Sequence, residues 1–249
     1  MDAVATRAGA VTAAEWPVLT YYDDATGERV ALSAADLGGW AARTARLLRD
    51  GCRLGPGSRV AVVLPPHWLT AAVLLGSWSA GAAVSVRLPA TAGLAANGPG
   101  DQEPFDAVFA SLGAVDDWLV DVPDATHRFA LAVGDDRRPV DLPIGYRQFA
   151  DAIAAYADRP DPDVWLRATD PASVDGTTYG QWGALARSVA AEHDLRTGDR
   201  IMVTAQAHLH PVTWLLAPLS AGATVVLCAN PDPALRDARA AAEGVTRVL

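Results

Sequence analysis

The chain has 249 residues, about half of them apolar (51%), and a formal charge of −9 from 29 acids against 20 bases. That composition supports a sizeable core and argues against long disorder. The acidic balance argues against a nucleic-acid backbone or an anionic membrane as partner. None of the residues is a lysine, so all 20 bases are arginines. Lysine imine chemistry and a phosphate loop ending in Gly-Lys-Ser/Thr are therefore excluded. The two cysteines, Cys52 and Cys228, are too few for a thiolate zinc site, and they predict no disulfide framework. Both features fit a reducing cytoplasm.

In chain order, residues 1–16 read as a flexible tail without a secretory pattern. Leu37 to Arg49 is predicted as an amphipathic helix. A glycine turn at Gly57 follows, then a continuous apolar strand from Val60 to Leu64 ended by Pro65-Pro66. Trp68 to Val86 is a run of 19 residues without a charge. It changes midway from Leu/Ala/Trp to β-branched residues, so it reads as a buried helix (His67–Ala80) and a strand (Ala83–Val86), not a membrane span. Phe105–Ala110 and Arg128–Val133 are predicted strands, and Tyr146–Ala157 a helix. Gly93–Glu103 and Arg159–Asp163 are predicted loops. Asp116-Asp117 and Asp135 to Arg138 read as solvated charge. The last elements are a helix from Asp232 to Ala242 and a strand starting at Val245.

An internal repeat organises this order. The segment from Leu54 to Val86 aligns without a gap onto Leu195 to Leu227 at an offset of 141. Matched identities include Gly57 with Gly198, Arg59 with Arg200, His67 with His208 and Ser79-Ala-Gly-Ala82 with Ser220-Ala-Gly-Ala223. The second copy thus predicts a strand at Arg200–Thr204, a helix at Pro211–Ser220 and a strand at Thr224–Leu227, preceded by a helix from Trp182 to Glu192. A right-handed βαβ unit used twice implies an α/β fold of two pseudo-repeated, three-layer parallel-sheet subdomains, the second incomplete. The expected division is 17–165 and 166–249.

The motifs resemble those of the adenylate-forming enzymes: acyl-CoA synthetases, amino-acid adenylation domains and luciferases. The resemblance lies in Pro17-Val-Leu-Thr-Tyr21, Gly27-Glu-Arg-Val-Ala-Leu-Ser33 and Gly57-Ser-Arg-Val-Ala-Val-Val-Leu-Pro65. Gly198-Asp-Arg200 and Leu215-Leu-Ala-Pro-Leu-Ser-Ala-Gly-Ala-Thr-Val-Val-Leu227 complete it. It covers residues 17–249 and implies the N-terminal, AMP-binding part of such an enzyme. In that family a Ser/Thr/Gly-rich loop followed by Pro-Lys-Gly holds the ATP phosphates. Asp175, Gly176, Thr177 and Thr178 match its core, but the Gly-x-Pro-Lys-Gly tail is missing and an Asp stands first. The resemblance implies that these four residues and His208 form any surviving ATP or AMP site. Read without it, Asp175 suits an Asx turn or a helix cap, and His208 and His210 suit a loop.

The family's catalytic lysine has no counterpart, and its C-terminal motifs fall beyond residue 249. The expectation is a truncated pseudoenzyme with no catalytic residue and no metal, acting as a binding or scaffold subunit. Its predicted partner is a second copy or another protein at the C-terminal strand edge. Two alternatives stay open: a module binding a nucleotide or acyl ligand, and adenylation completed by a second chain. No Gly-x-Ser-x-Gly elbow signals a hydrolase, and the eight tryptophans read as core packing.

Overall fold

The computed structural model describes residues 16–87, 104–116, 122–134, 142–156 and 165–249. The predicted loops at Gly93–Glu103 and Arg159–Asp163 lie outside these ranges. So do the charges at Asp117 and Asp135 to Arg138 and all but the last residue of the tail.

Two five-stranded sheets carry the fold. The first is built from β3 (Arg59–Val63), β4 (Ala83–Val86), β5 (Phe105–Ser111), β6 (Ala125–Leu131) and β7 (Tyr146–Gln148) in the order β4-β3-β5-β6-β7, all parallel. Its central strands are buried on both faces, which is why Val60 to Leu64 reads as an unbroken apolar run. The second is built from β1 (Leu19–Asp23), β2 (Glu28–Leu32), β8 (Arg200–Thr204), β9 (Thr224–Ala229) and β10 (Arg247–Val248) in the order β10-β8-β9-β1-β2. Only the β1–β2 hairpin in it is antiparallel.

The two copies of the repeat occupy corresponding places, β3 and β4 in the first sheet and β8 and β9 in the second. Gly57 and Gly198 share φ values of 89° and 88°, a conformation that favours glycine and opens the turn before each strand. The division expected at 165/166 is not a division between sheets. β1 pairs in parallel with β9, so the hairpin from the first half completes the sheet of the second.

Helix α1 (Ala34–Arg46) starts three residues earlier than its apolar face suggests, because Ser33 and Asp36 form a capping box. A π-helical turn, Leu47–Gly51, carries it to Cys52. Helix α2 (Trp68–Ser79) is buried along most of its length and packs on α1 at Gly76. A Cβ there would lie 2.5 Å from Thr44 Cβ and 2.6 Å from the Ala41 carbonyl. Among the described residues no helix is long and apolar enough to cross a membrane.

The short helices α3 (Leu112–Asp116) and α4 (Phe149–Ala154) flank the first sheet. The helix expected over Tyr146–Ala157 is shorter: Tyr146–Gln148 are extended because they pair with Arg128–Ala130 of β6. In the second copy α5 (Tyr179–Glu192) precedes β8. The helix expected at Pro211–Ser220 divides into a π-helical turn, Val212–Leu216, and α6 (Ala217–Ala221). The wider turn accommodates Pro218, which has no N–H to donate. A single 3₁₀ turn, Pro233–Leu235, leads into α7 (Arg236–Ala242) before β10.

Candidate functional site

The segment matching a phosphate loop is a tight, internally bonded turn. Ser173 bridges Val84 at the edge of the first sheet, and Pro171 bridges Thr178 across the turn. The amides of Ala172 and Ser173 both donate to the Thr177 carbonyl, at 2.8 and 3.0 Å. Gly176, at φ 89°, donates to the Ser173 carbonyl at 3.0 Å. Asp175 is exposed, and its Oδ1 accepts the Thr177 N–H at 2.9 Å, an Asx turn. Thr178 caps α5: its amide donates to Gln181 Oε1 at 2.8 Å and its hydroxyl accepts the Gln181 N–H at 3.3 Å. The Tyr179 and Gly180 amides donate to the carbonyls of Asp170 and Ala168, at 3.1 and 2.8 Å. Five consecutive amides, 176 to 180, are thus engaged within the protein. A phosphate cradle needs such N–H groups pointing outward and open.

His208 is half-buried in the turn after β8, with its amide donating to the Thr204 carbonyl at 3.2 Å. His210 is the histidine that meets α5. Its ring stacks on Trp182 with centroids 5.5 Å apart and planes 7° apart. Its Nδ1 accepts the Val212 N–H at 3.4 Å. Desolvation holds His210 below the ordinary imidazole range, so the ring is neutral near pH 7. His67, the repeat partner of His208, is fully buried and caps α2, its Nδ1 accepting the Leu69 N–H at 3.1 Å.

Trp182, Trp78 and Tyr179 form an aromatic cluster behind the loop, beside a cavity of about 240 Å³. Trp182 Nε1 donates to Ser173 Oγ at 2.5 Å and Trp78 Nε1 to the Ala172 carbonyl at 3.0 Å. Tyr179 donates to the Trp78 carbonyl at 2.8 Å, and burial, with the Asp170 charge, pushes its phenol up to about 12. Sequence reasoning sends these rings to the core. The missed signal is that Trp78, near the C-terminal end of α2, and Trp182, in the first turn of α5, both bond the loop.

A second cavity, of about 250 Å³, opens at the carboxyl ends of β8 and β9 beside Thr204, Cys228 and Arg239. Connections from those two strands leave in opposite directions, the usual crevice of an open α/β sheet. Arg236 and Arg239 both line it, and of these Arg239 is already occupied, as is the thiol. Arg239 is paired with Asp24 at 2.5 Å. Burial pushes the Cys228 thiol up more than Arg239 lowers it, so it is no thiolate nucleophile. Among the described residues no group of three or more His, Cys, Asp or Glu side chains is placed to hold a metal ion.

No family model matches the chain. The structure superimposes on the N-terminal domain of FACL13 from Mycobacterium tuberculosis with a TM-score of 0.64 at 18% identity. It superimposes on a Brucella canis acyl-CoA synthetase with 0.65 at 19%, and on Mycobacterium smegmatis MbtA with 0.64 at 22%. Each match covers 92% of this chain but only 57%, 43% and 44% of the other. The fold is therefore that of the N-terminal part of acyl-CoA synthetases and adenylation domains, as the motifs imply. A curated protein of Mycobacterium tuberculosis, described as a TIGR03089 family protein, is 38% identical over 240 residues, covering 94% of this chain and 91% of that protein. With that identity over nearly the full length of both, the chain belongs to the TIGR03089 family.

Proposed function

We propose that this protein is a non-catalytic binding protein on the adenylate-forming fold. The observation that supports this reading is the loop at Asp175–Gly180. Its amides from Gly176 to Gly180 are engaged internally, its first position is a carboxylate, and the family's lysine has no counterpart after it. An anionic triphosphate meets repulsion there and no open run of amides to offset it. Losing a single stabiliser of developing charge costs on the order of 10²–10³ in rate, and here the donors and the cation are lost together.

The test is calorimetric titration with ATP plus magnesium and with AMP, beside pyrophosphate exchange over a panel of carboxylic acids. The expected result is no saturable heat and no exchange. Saturable ATP binding below about 100 μM, or exchange above background, would overturn the reading.

A further inference from the structure

We propose that the cavity between α2, α5 and α6 is a binding site for a flat, uncharged, bicyclic aromatic molecule. The inference rests on the reading of the chain as a binding protein and deepens it with a site and a ligand class. Trp78, Tyr179 and Trp182 form one side of the cavity, and Leu216 and Ser220 of the facing helical segment the other. Every polar atom of these side chains is turned to the protein itself. The two indole N–H groups bond Ala172 O and Ser173 Oγ, and the phenol bonds Trp78 O. Ser220 Oγ bonds the Ala217 carbonyl at 2.8 Å. What faces the cavity is ring surface and aliphatic carbon, so a charged ligand would lose its hydration without replacement. Such a cavity, apolar along its walls and open to solvent beside Ser220, suits an apolar guest.

Size and shape narrow the class. An apolar cavity of roughly 150 Å³ takes benzene, and this one is about 240 Å³. The extra volume fits a second fused ring. The rings that meet there are held by hydrogen bonds, and the indoles of Trp78 and Trp182 lie 6.0 Å apart at 49°. Fixed aromatic faces favour a planar aromatic guest over a flexible chain.

Gly183 is an independent observation. It lies inside α5 at the cavity wall, where glycine is a poor helix former. No close packing demands it: a Cβ would meet only Arg187 Nη1, at 3.4 Å. Because Gly183 lines the cavity, a large side chain there would compete with a guest for the wall.

The test is calorimetric titration with 2-naphthol, with 2-naphthoate as the anionic control of the same ring size. Saturable binding of 2-naphthol with a Kd below about 100 μM is expected, together with at least tenfold weaker binding of the naphthoate. Gly183→Leu should weaken 2-naphthol at least tenfold with its melting temperature unchanged or raised. Ser220→Leu, from the opposite wall, gives the same reading should the first variant fail to fold. No saturable heat with 2-naphthol, equal binding of the naphthoate, or full affinity in the folded variants would each overturn the site. The failure of the non-catalytic reading would show separately, as pyrophosphate exchange or ATP binding.

Discussion

The guanidinium of Arg200, buried at the start of β8, is ion-paired with the carboxylate of Glu243, 43 residues downstream after α7. Arg200 also donates to Thr20 Oγ1 at 2.8 Å and to the Pro17 carbonyl at 3.0 Å. Glu243 Oε1 accepts from Tyr22 at 2.5 Å and from Arg29 at 3.0 Å. One carboxylate therefore joins β8, α7 and the β1–β2 hairpin. Removing one member of such a buried pair leaves the other uncompensated. Glu243→Ala should lower unfolding stability by about 3–5 kcal/mol in urea titrations. Restoring the carboxylate as Asp should recover only part of it, since the shorter side chain reaches fewer donors.

The same group sets a pH dependence. Burial pushes Glu243 upward, but the hydrogen bonds from Tyr22, Arg200 and Arg29 outweigh it and hold the carboxyl below its ordinary value. Asp24 is held low chiefly by its hydrogen bond from Arg239. A depressed folded-state pKa contributes stability above the unfolded value that is lost as pH falls through the folded one. Urea midpoints should be flat near neutrality and drop below about pH 4. In Glu243→Gln the acid slope should be shallower.

Two glycines inside helices should respond oppositely to alanine. Gly76→Ala forces a Cβ against the α1 backbone and Thr44, and should destabilise by about 1–3 kcal/mol. Gly183→Ala meets only the end of the Arg187 side chain, at 3.4 Å, and should stabilise by up to about 1 kcal/mol. Thermal melts of the two variants side by side check this.

The loop substitutions should change folding and leave nucleotide titrations silent. Thr178→Ala removes the α5 cap and should cost about 0.5–2 kcal/mol. Asp175→Ala removes only an exposed Asx contact and should cost less than about 1 kcal/mol. ATP binding appearing in Asp175→Ala would mean that charge alone had closed the site.

Much of the fold is legible because the repeat preserves it. The offset of 141 pairs Gly57 with Gly198 and lands β3, α2 and β4 on their second-copy counterparts. The placement of β1 and β2 is not legible. An alternating apolar pattern tells which face a strand buries, not which strand it joins, and β1 joins one more than 200 residues away. Repeat identity also misleads at its histidines. His67 is a buried cap while His208 lies half-exposed, because β1 packs on the first through Tyr21, whose ring lies 4.3 Å from it. At the candidate site, Asx-turn and capping chemistry is readable from Asp175 to Gln181. The engagement of the five amides from Gly176 to Gly180 is not, because two of them depend on carbonyls of Asp170 and Ala168 that no motif marks.

The pairing of β1 with β9 also imposes an order on synthesis. A ribosome delivers the hairpin first, yet its parallel neighbour and its side-chain anchor, the bond between Asp23 and Asn230 across 207 positions, exist only after β9 has emerged. The first sheet, made wholly from residues 59–148, can close in the meantime. The nascent chain must therefore carry the Leu19–Asp23 strand without its β9 neighbour through most of its translation, the interval in which a chaperone has an open strand edge to hold.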